Sequence, residues 1–335
     1  MLITKIYKPS EFNEAAKELR LGELVAFPTE TVYGLGADAT NEQAVKRVYL
    51  AKGRPSDNPL IVTVSSLEMV KRFVPSLSKE VEKIIEKFWP GSLTIVLKIK
   101  DGSLSKTVTG GLKTAAFRMP KNETTLNLIT ALGNPIVGPS ANSSGKPSPT
   151  TAQHVYHDLE GRIAGILDDG PTDVGVESTI IDMSTEIPTI LRPGAVTAEE
   201  IEKVIGKEVY SDKHKVKENE IPKAPGMKYK HYAPSAQVLI VNKDNWNSAL
   251  QWANENKNQV GILADDEVLS KALENKTYSL GENVESAAKN LFAGLRYFDD
   301  DNQIKYILAE AFPEEGVGLA YMNRLKKSAG NQFYN

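Results

Sequence analysis

From Gln237 to Ala329 the chain repeats one unit, a short apolar run followed by a longer amphipathic stretch. The runs Val238–Val241, Val260–Ala264, Tyr278–Leu280 and Lys305–Ala309 read as strands. The stretches Trp246–Glu255, Glu267–Glu274, Val284–Phe298 and Leu319–Ala329 read as helices. Parallel strands need a crossover of a dozen or more residues, usually a helix, so this alternation predicts a small, mostly parallel, Rossmann-like sheet. No G-x-G-x-x-G follows the first strand, and no dinucleotide site is expected there. A structural or regulatory role is the expectation for this part.

Residues 1–208 show a different pattern. Apolar runs at Leu24–Phe27, Leu60–Val64, Leu93–Lys98, Ala115–Arg118, Pro135–Gly138, Ile163–Leu167, Ser178–Asp182 and Thr189–Leu191 predict strands. Helices are predicted at Asn41–Ala51, Lys79–Phe88, Thr124–Leu132, Ala152–Leu159 and Ala198–Ile205, two of them opened by the capping pairs Thr40/Gln43 and Thr197/Glu200. With fewer helices than strands, the expectation is a mixed, twisted α/β sheet rather than strict βαβ alternation. Between the two parts, SDKHKVKENEIPKAPGMKYKH lacks periodicity and reads as a linker, placed at 209–235, with the second domain at 236–335. Its end, Met227-Lys-Tyr-Lys-His-Tyr232, is richer in cations and aromatics than a plain spacer needs.

A chain of 335 residues fits two domains of ordinary size. No apolar run approaches the roughly 20 residues that span a bilayer. The opening MLITKIYKPSEF lacks a basic region followed by an apolar one, so a cytoplasmic address is expected. Without cysteine there is no disulfide, thiolate nucleophile or thiolate-held metal. His154, His157, His214 and His231 form no zincin-type pair, and neither a P-loop nor a G-x-S-x-G elbow is present. A formal net charge of −3 argues against a protein devoted to gripping a phosphate backbone.

The chemistry concentrates in six short segments. Phe27-Pro-Thr-Glu-Thr-Val-Tyr-Gly-Leu-Gly36 runs from a strand into hydroxyls, a carboxylate and two glycines; it reads either as a ligand loop at a strand end or as a turn whose threonines bond their own backbone. In Ala51-Lys-Gly-Arg-Pro-Ser-Asp-Asn-Pro-Leu60 the cations Lys52 and Arg54 stand two apart in a stiffened loop able to aim both at one anion, although Lys52 alone also suits a helix C-terminus. Arg118 ends a strand of small and apolar residues, as a salt-bridge partner or an anion clamp. The loop Gly138-Pro-Ser-Ala-Asn-Ser-Ser-Gly-Lys-Pro-Ser-Pro-Thr150 has the hydroxyls and backbone N–H groups of a phosphate nest. Gly175-Val-Glu-Ser-Thr-Ile180 and Leu191-Arg-Pro-Gly194 complete the set. Separate cations with many hydroxyls suggest that polyanions are bound and oriented, catalysis being positioning plus charge stabilisation.

The segments FPTETVYGLG, KGRPSDNPL, RMP, PSANSSGKPSPT, ESTI and LRPG, in this order, resemble the YrdC-like family, whose hallmarks are the KxR and SxN pairs. PGMKYKHYAP and the Rossmann-like tail resemble the long, two-domain threonylcarbamoyl-AMP synthases. The resemblance implies formation of threonylcarbamoyl-AMP and pyrophosphate from L-threonine, bicarbonate or CO₂, and ATP, with Mg²⁺ carried by the nucleotide. It implies a downstream transferase machinery that modifies adenosine 37 of tRNA. Carried over by motif, Lys52 and Arg54 are the catalytic cations. Arg54, Asn58, Thr114, Ser140, Asn142, Ser148 and Arg192, with Tyr229 and His231 of the linker, are the ATP site. Thr31, Thr63, Arg118, Gly138 and Ser178 are the threonine site, Arg118 clamping the α-carboxylate. One departure stands: members commonly carry His after PLIV, where this chain has Thr63. The linker end is expected to close over the nucleotide as a lid. The alternative is a double-stranded RNA or tRNA-binding module of the same fold, with a weak RNA contact and steep salt dependence.

Overall fold

The computed structural model describes residues 2–56, 58–211, 222–224, 232–272 and 274–335. Among them, the N-terminal part builds an 11-stranded sheet and the C-terminal part a separate sheet of four. In spatial order the large sheet runs Lys5–Tyr7, Gly165–Leu167, Val25–Phe27, Gly34–Asp38, Ile136–Val137, Ile61–Thr63, Thr114–Arg118, Leu93–Lys98, Thr179–Asp182, Thr189–Arg192 and Tyr210–Ser211. Pairings are mixed: Ile61–Thr63 runs parallel to Thr114–Arg118 but antiparallel to Ile136–Val137.

Side chains alternate across a pleated sheet, so each strand serves two environments. Ala26, Leu35, Val62, Ile95, Phe117, Val137 and Ile181 all enter the main core, under the helices Glu42–Lys52, Lys79–Phe88, Ala152–Leu159 and Ala198–Ile205. On the opposite face, Val25, Phe27 and Ile136 pack with Leu19, Leu128 and Ile129 from the helices Phe12–Arg20 and Glu123–Leu132. These two helices cover that face in part. Beside them, Ile61, Val96, Ala116, Ile180 and Leu191 form a small cluster at the edge of a cleft.

The strand Gly34–Asp38, absent from the sequence-based expectation, follows from close packing. A Cβ on Gly34 would lie 2.4 Å from Cζ of Phe27, and one on Gly36 would lie 2.8 Å from the carbonyl of Val25. Two glycines weaken a strand by propensity, yet they admit the Phe27 ring and the neighbouring backbone. Lys5–Tyr7, Phe12–Arg20 and the edge strand Tyr210–Ser211 were likewise not anticipated, the last extending the sheet past residue 208. The helix expected from Asn41 is capped by Asn41 itself, whose side chain accepts from the N–H groups of Gln43 and Ala44, instead of the Thr40/Gln43 pair. The Thr197/Glu200 capping box is present.

In the C-terminal domain Gln237–Val241, Tyr306–Glu310, Val260–Ala264 and Lys276–Ser279 lie side by side, all parallel. The expected helix Glu267–Glu274 is a single turn, Asp266–Leu269, capped by Asp265. Four residues place too little apolar surface on the sheet to extend it, Val268 being the turn's buried residue. The strand expected at Tyr278–Leu280 begins earlier, at Lys276. No helix among the described residues is long and apolar enough to cross a membrane.

The domains are joined through the cleft loops themselves. Val32, Val176 and Tyr232 belong to the apolar cluster that contains Leu291, Phe292 and Leu325 of the C-terminal domain. Arg296, on the helix Val284–Asp299, pairs with Asp158 through two bonds of 3.1 and 2.9 Å and donates to the carbonyl of Pro147 at 2.6 Å.

Candidate active site

The cleft is lined by the strands Val25–Phe27, Ile61–Thr63 and Thr114–Arg118 and by loops around Ser140, Ser178 and Arg192. Its floor is the sheet face described above. Phe27, Ile61, Thr63 and Arg118 rise from it, with Thr63 directly opposite Arg118 on the neighbouring parallel strand. Gly138 keeps the floor open, because a Cβ there would lie 2.6 Å from Oγ1 of Thr63 and 2.9 Å from the Phe27 ring.

Arg118 is buried and held in place. Its Nη2 donates to Oε1 of Glu30 at 2.6 Å, Nη1 to Oγ1 of Thr31 at 2.7 Å, and Nε to the carbonyl of Gly91 at 3.3 Å. Glu30 also accepts from Ser92 at 2.9 Å and from the N–H of Lys121 at 3.1 Å. A buried carboxylate with this many donors is matched to a charged partner. Arg118 is therefore both the salt-bridge partner and a cation facing the cleft, the two readings its sequence position allowed.

Ser178 and Arg192 form the opposite wall. Arg192 donates from Nε and Nη2 to the carbonyl of Ser178 at 3.2 and 3.0 Å, and the Ser178 hydroxyl bonds that of Thr94 at 2.7 Å. In a regular strand Arg192 would share the core face with Ile190. A register shift between Ile190 and Arg192 turns the guanidinium to the cleft instead. Burial lowers the Arg192 pKa to about 10, against the opposing pull of Glu177. It is charged at neutral pH. Glu177 lines the same wall, its Oε1 accepting from Ser148 at 2.6 Å.

Arg54, Ser140, Asn142 and Lys146 line the mouth. Lys146 is tied to Asp299 of the C-terminal domain at 2.6 Å. Asn142 donates to the carbonyls of Ser143 and Lys146 at 2.9 and 3.0 Å, which closes the turn. Its buried Oδ1 has no hydrogen-bond partner among the described residues.

Several expected residues sit elsewhere. Lys52, expected in the cleft beside Arg54, is only 3% exposed and does not line it. Its ammonium is bound by the carbonyls of Ser140 and Asn142, the latter at 2.5 Å. Burial, then the charge of Arg54, pushes its pKa well below the ordinary lysine value. In this structure it pins the loop that carries the mouth residues. Asn58 and Ser148 are buried and do not line the cleft, and Thr114 begins the strand that Arg118 ends, about 13 Å away at ~3.3 Å per residue. Tyr229 and His231, with residues 225–231 of the expected lid, lie outside the described residues. Tyr232 is described and lines the cleft; burial, then Glu177, raises its phenol to about 12. Sequence reasoning assigned no individual role to Glu30, Lys146 or Glu177, and placed Tyr232 only as part of the expected lid. Among the described residues no group of three or more His, Asp or Glu is placed to hold a metal.

The family described as telomere recombination (Sua5/YciO/YrdC) matches residues 17–194, and that described as threonylcarbamoyl-AMP synthase, C-terminal domain, matches residues 196–330. The threonylcarbamoyl-AMP synthase of Bacillus subtilis (strain 168) is 48% identical over 323 residues, covering 95% of this chain and 93% of that protein. The Pyrococcus abyssi synthase is 46% identical, covering 94% and 93%. The crystal structure of P. abyssi Sua5 complexed with L-threonine has a TM-score of 0.91 at 43% identity, over 99% of this chain and 98% of that one. E. coli YciO, at 19% identity and a TM-score of 0.54, covers 60% of this chain and 100% of its own, and shares the fold of that part. Fold and cleft thus define a YrdC-like α/β protein with a Sua5-type C-terminal domain. More narrowly, the chain belongs to the two-domain threonylcarbamoyl-AMP synthase family.

Proposed function

We propose that this chain makes threonylcarbamoyl-AMP and pyrophosphate from L-threonine, bicarbonate or CO₂, and ATP. The observation that carries the reading is the whole-chain match to a structure complexed with L-threonine, joined to a cleft that offers cations for a carboxylate and a polyphosphate. The threonine amine adds CO₂ as a carbamate and loses a proton. A carbamate oxygen then bonds to the α-phosphorus of ATP as the bond to the β-phosphate oxygen breaks, and pyrophosphate leaves with the electron pair. No covalent bond to the protein is required, so the chain's part is orientation and charge stabilisation. Mg²⁺ enters with the ATP substrate, coordinated by its phosphates.

Arg118 faces the α-carboxylate, its two remaining N–H donors forming the clamp, while Ser178 and Thr63 surround the amino acid and the buried Thr31 acts through Arg118, which it holds. Arg54, Ser140, Asn142 and Arg192 face the phosphates, with Lys52 acting through the loop it holds. Tyr229, His231 and the rest of Pro225–Pro234 are proposed to close over the nucleotide; their composition supports this, together with the chemical need to keep water from an acyl-adenylate. The product is handed, in the cytoplasm, to a transferase machinery that modifies tRNA adenosine 37. No observation here favours the RNA-binding alternative.

The test is pyrophosphate release by purified protein. It should require threonine, bicarbonate and ATP together, and release that continues unchanged without threonine contradicts the reading.

A further inference from the structure

Arg324 belongs to the helix Val317–Ala329 of the C-terminal domain, yet it is completely buried against loops of the N-terminal domain. Its Nε donates to Oε2 of Glu177 at 3.0 Å, Nη1 to the carbonyl of Pro193 at 2.7 Å, and Nη2 to the carbonyl of Glu177 at 3.3 Å. One guanidinium therefore joins the loop that delivers Ser178 to the loop that follows Arg192. On the cleft side Arg192 grips the carbonyl of Ser178, so the two loops are tied at both ends. They leave no slack, since a Cβ on Gly194 would lie 2.2 Å from the N–H nitrogen of Thr179.

Holding two domains together does not call for this. Desolvating an arginine costs several kcal/mol, and apolar contacts hold domains at no such penalty. The interface already has its apolar cluster and the Arg296–Asp158 pair. What Arg324 adds is specific to the cleft wall. Burial alone would push the Glu177 carboxyl up, but Arg324, then Arg192, hold it at about 2, so a full negative charge stays at the wall.

We propose that Arg324 is a positioning residue for the synthase reaction: from the second domain it sets the separation of Ser178 and Arg192 and fixes the Glu177 carboxylate, which makes the C-terminal domain part of the active site. This rests on the synthase reading above. Lysine at this position keeps the charge but gathers its donors on one atom, and it cannot bridge Glu177 and Pro193 as the guanidinium does.

The experiment uses full-length Arg324→Lys and, should that fold poorly, Arg324→Gln, whose amide retains a donor toward Glu177. L-Threonine affinity is measured by calorimetry, independently of turnover, and kcat/KM for threonine by pyrophosphate release, both well below each variant's Tm. Threonine binding about tenfold weaker and kcat/KM about 10²-fold lower are expected, the scale of a roughly 1 Å misplacement. A merely structural role lowers the folded fraction and leaves the threonine affinity of the folded protein alone; that result in either variant overturns the inference. A wild-type protein that makes no threonylcarbamoyl-AMP overturns the synthase reading and this inference together. An active wild type with indifferent variants overturns this inference alone.

Discussion

Replacing Arg118 by lysine separates charge from geometry at the floor of the cleft. Of its five N–H donors, three are engaged by Glu30, Thr31 and Gly91, leaving two for a substrate carboxylate. A lysine has three donors on one nitrogen. If two remain with Glu30 and Thr31, one is left for substrate, and the parallel pair of bonds is lost. A charge-assisted hydrogen bond contributes about 1.5–3 kcal/mol, and 1.4 kcal/mol is tenfold in affinity, so threonine should bind roughly 10- to 150-fold more weakly. Lysine is preferred to alanine because it leaves Glu30 a cation; stripping a buried ion pair of one partner costs about 3–5 kcal/mol and confuses binding with folding. Calorimetric titrations with L-threonine and, separately, with ATP provide the readout. ATP affinity should stay within about twofold. A folded Arg118→Lys protein with wild-type threonine affinity would refute the clamp.

Lys52→Met should destabilise the protein by about 2 kcal/mol or more in denaturant, because two loop carbonyls lose their buried donor, whereas Arg54→Ala should reduce turnover with little change in Tm. Equal destabilisation by both changes would mean that Arg54 too is structural. Gly138→Ala should cost about 1–3 kcal/mol and impair threonine binding, with partial recovery in Gly138→Ala/Thr63→Ala, since Oγ1 of Thr63 is the nearest obstacle; no recovery would place the strain elsewhere. Burial raises the Glu310 carboxyl to about 7, so its ionisation lowers stability as pH climbs from about 4.5, its ordinary value, through 7. Glu310→Gln should therefore gain on the order of 2 kcal/mol at pH 8 and nothing below pH 4, allowing for solvent screening of a partly buried group. Urea melts at the two pH values check this, and an equal gain at both would contradict it.

Strand–helix alternation was legible in the C-terminal domain because three of its four strands, Gln237–Val241, Val260–Ala264 and Tyr306–Glu310, are mostly apolar and the helices Trp246–Glu255 and Val284–Asp299 are long enough to show their period. The fourth strand, Lys276–Ser279, is largely polar, and the short turn after Asp265 misled because good helix formers follow it. In the large sheet, runs such as Leu93–Lys98 announced themselves, but Gly34–Asp38 could not, since its glycines answer to the Phe27 ring, a contact that propensity does not record. The motifs located the cleft. Which partner each charge takes was hidden by sequence distance: nothing local links Glu30 to Arg118, or Glu177 to Arg324. Arg324 did leave a trace, since it lies at helical spacing with Tyr321, Leu325 and Ser328 on the buried stripe, where an unpaired charge does not belong. Lys52 misled for the opposite reason. Its place after a helix and beside Arg54 suits an anion site, yet its chain length also reaches the carbonyls of the loop behind.

The most direct test of the synthase reading follows labelled bicarbonate through the reaction. Purified protein incubated with ATP, Mg²⁺ and L-threonine should place the label in a product that contains both threonine and AMP. Omitting either threonine or ATP should abolish it. Labelled product formed without threonine, or no labelled product from the complete mixture, contradicts the account.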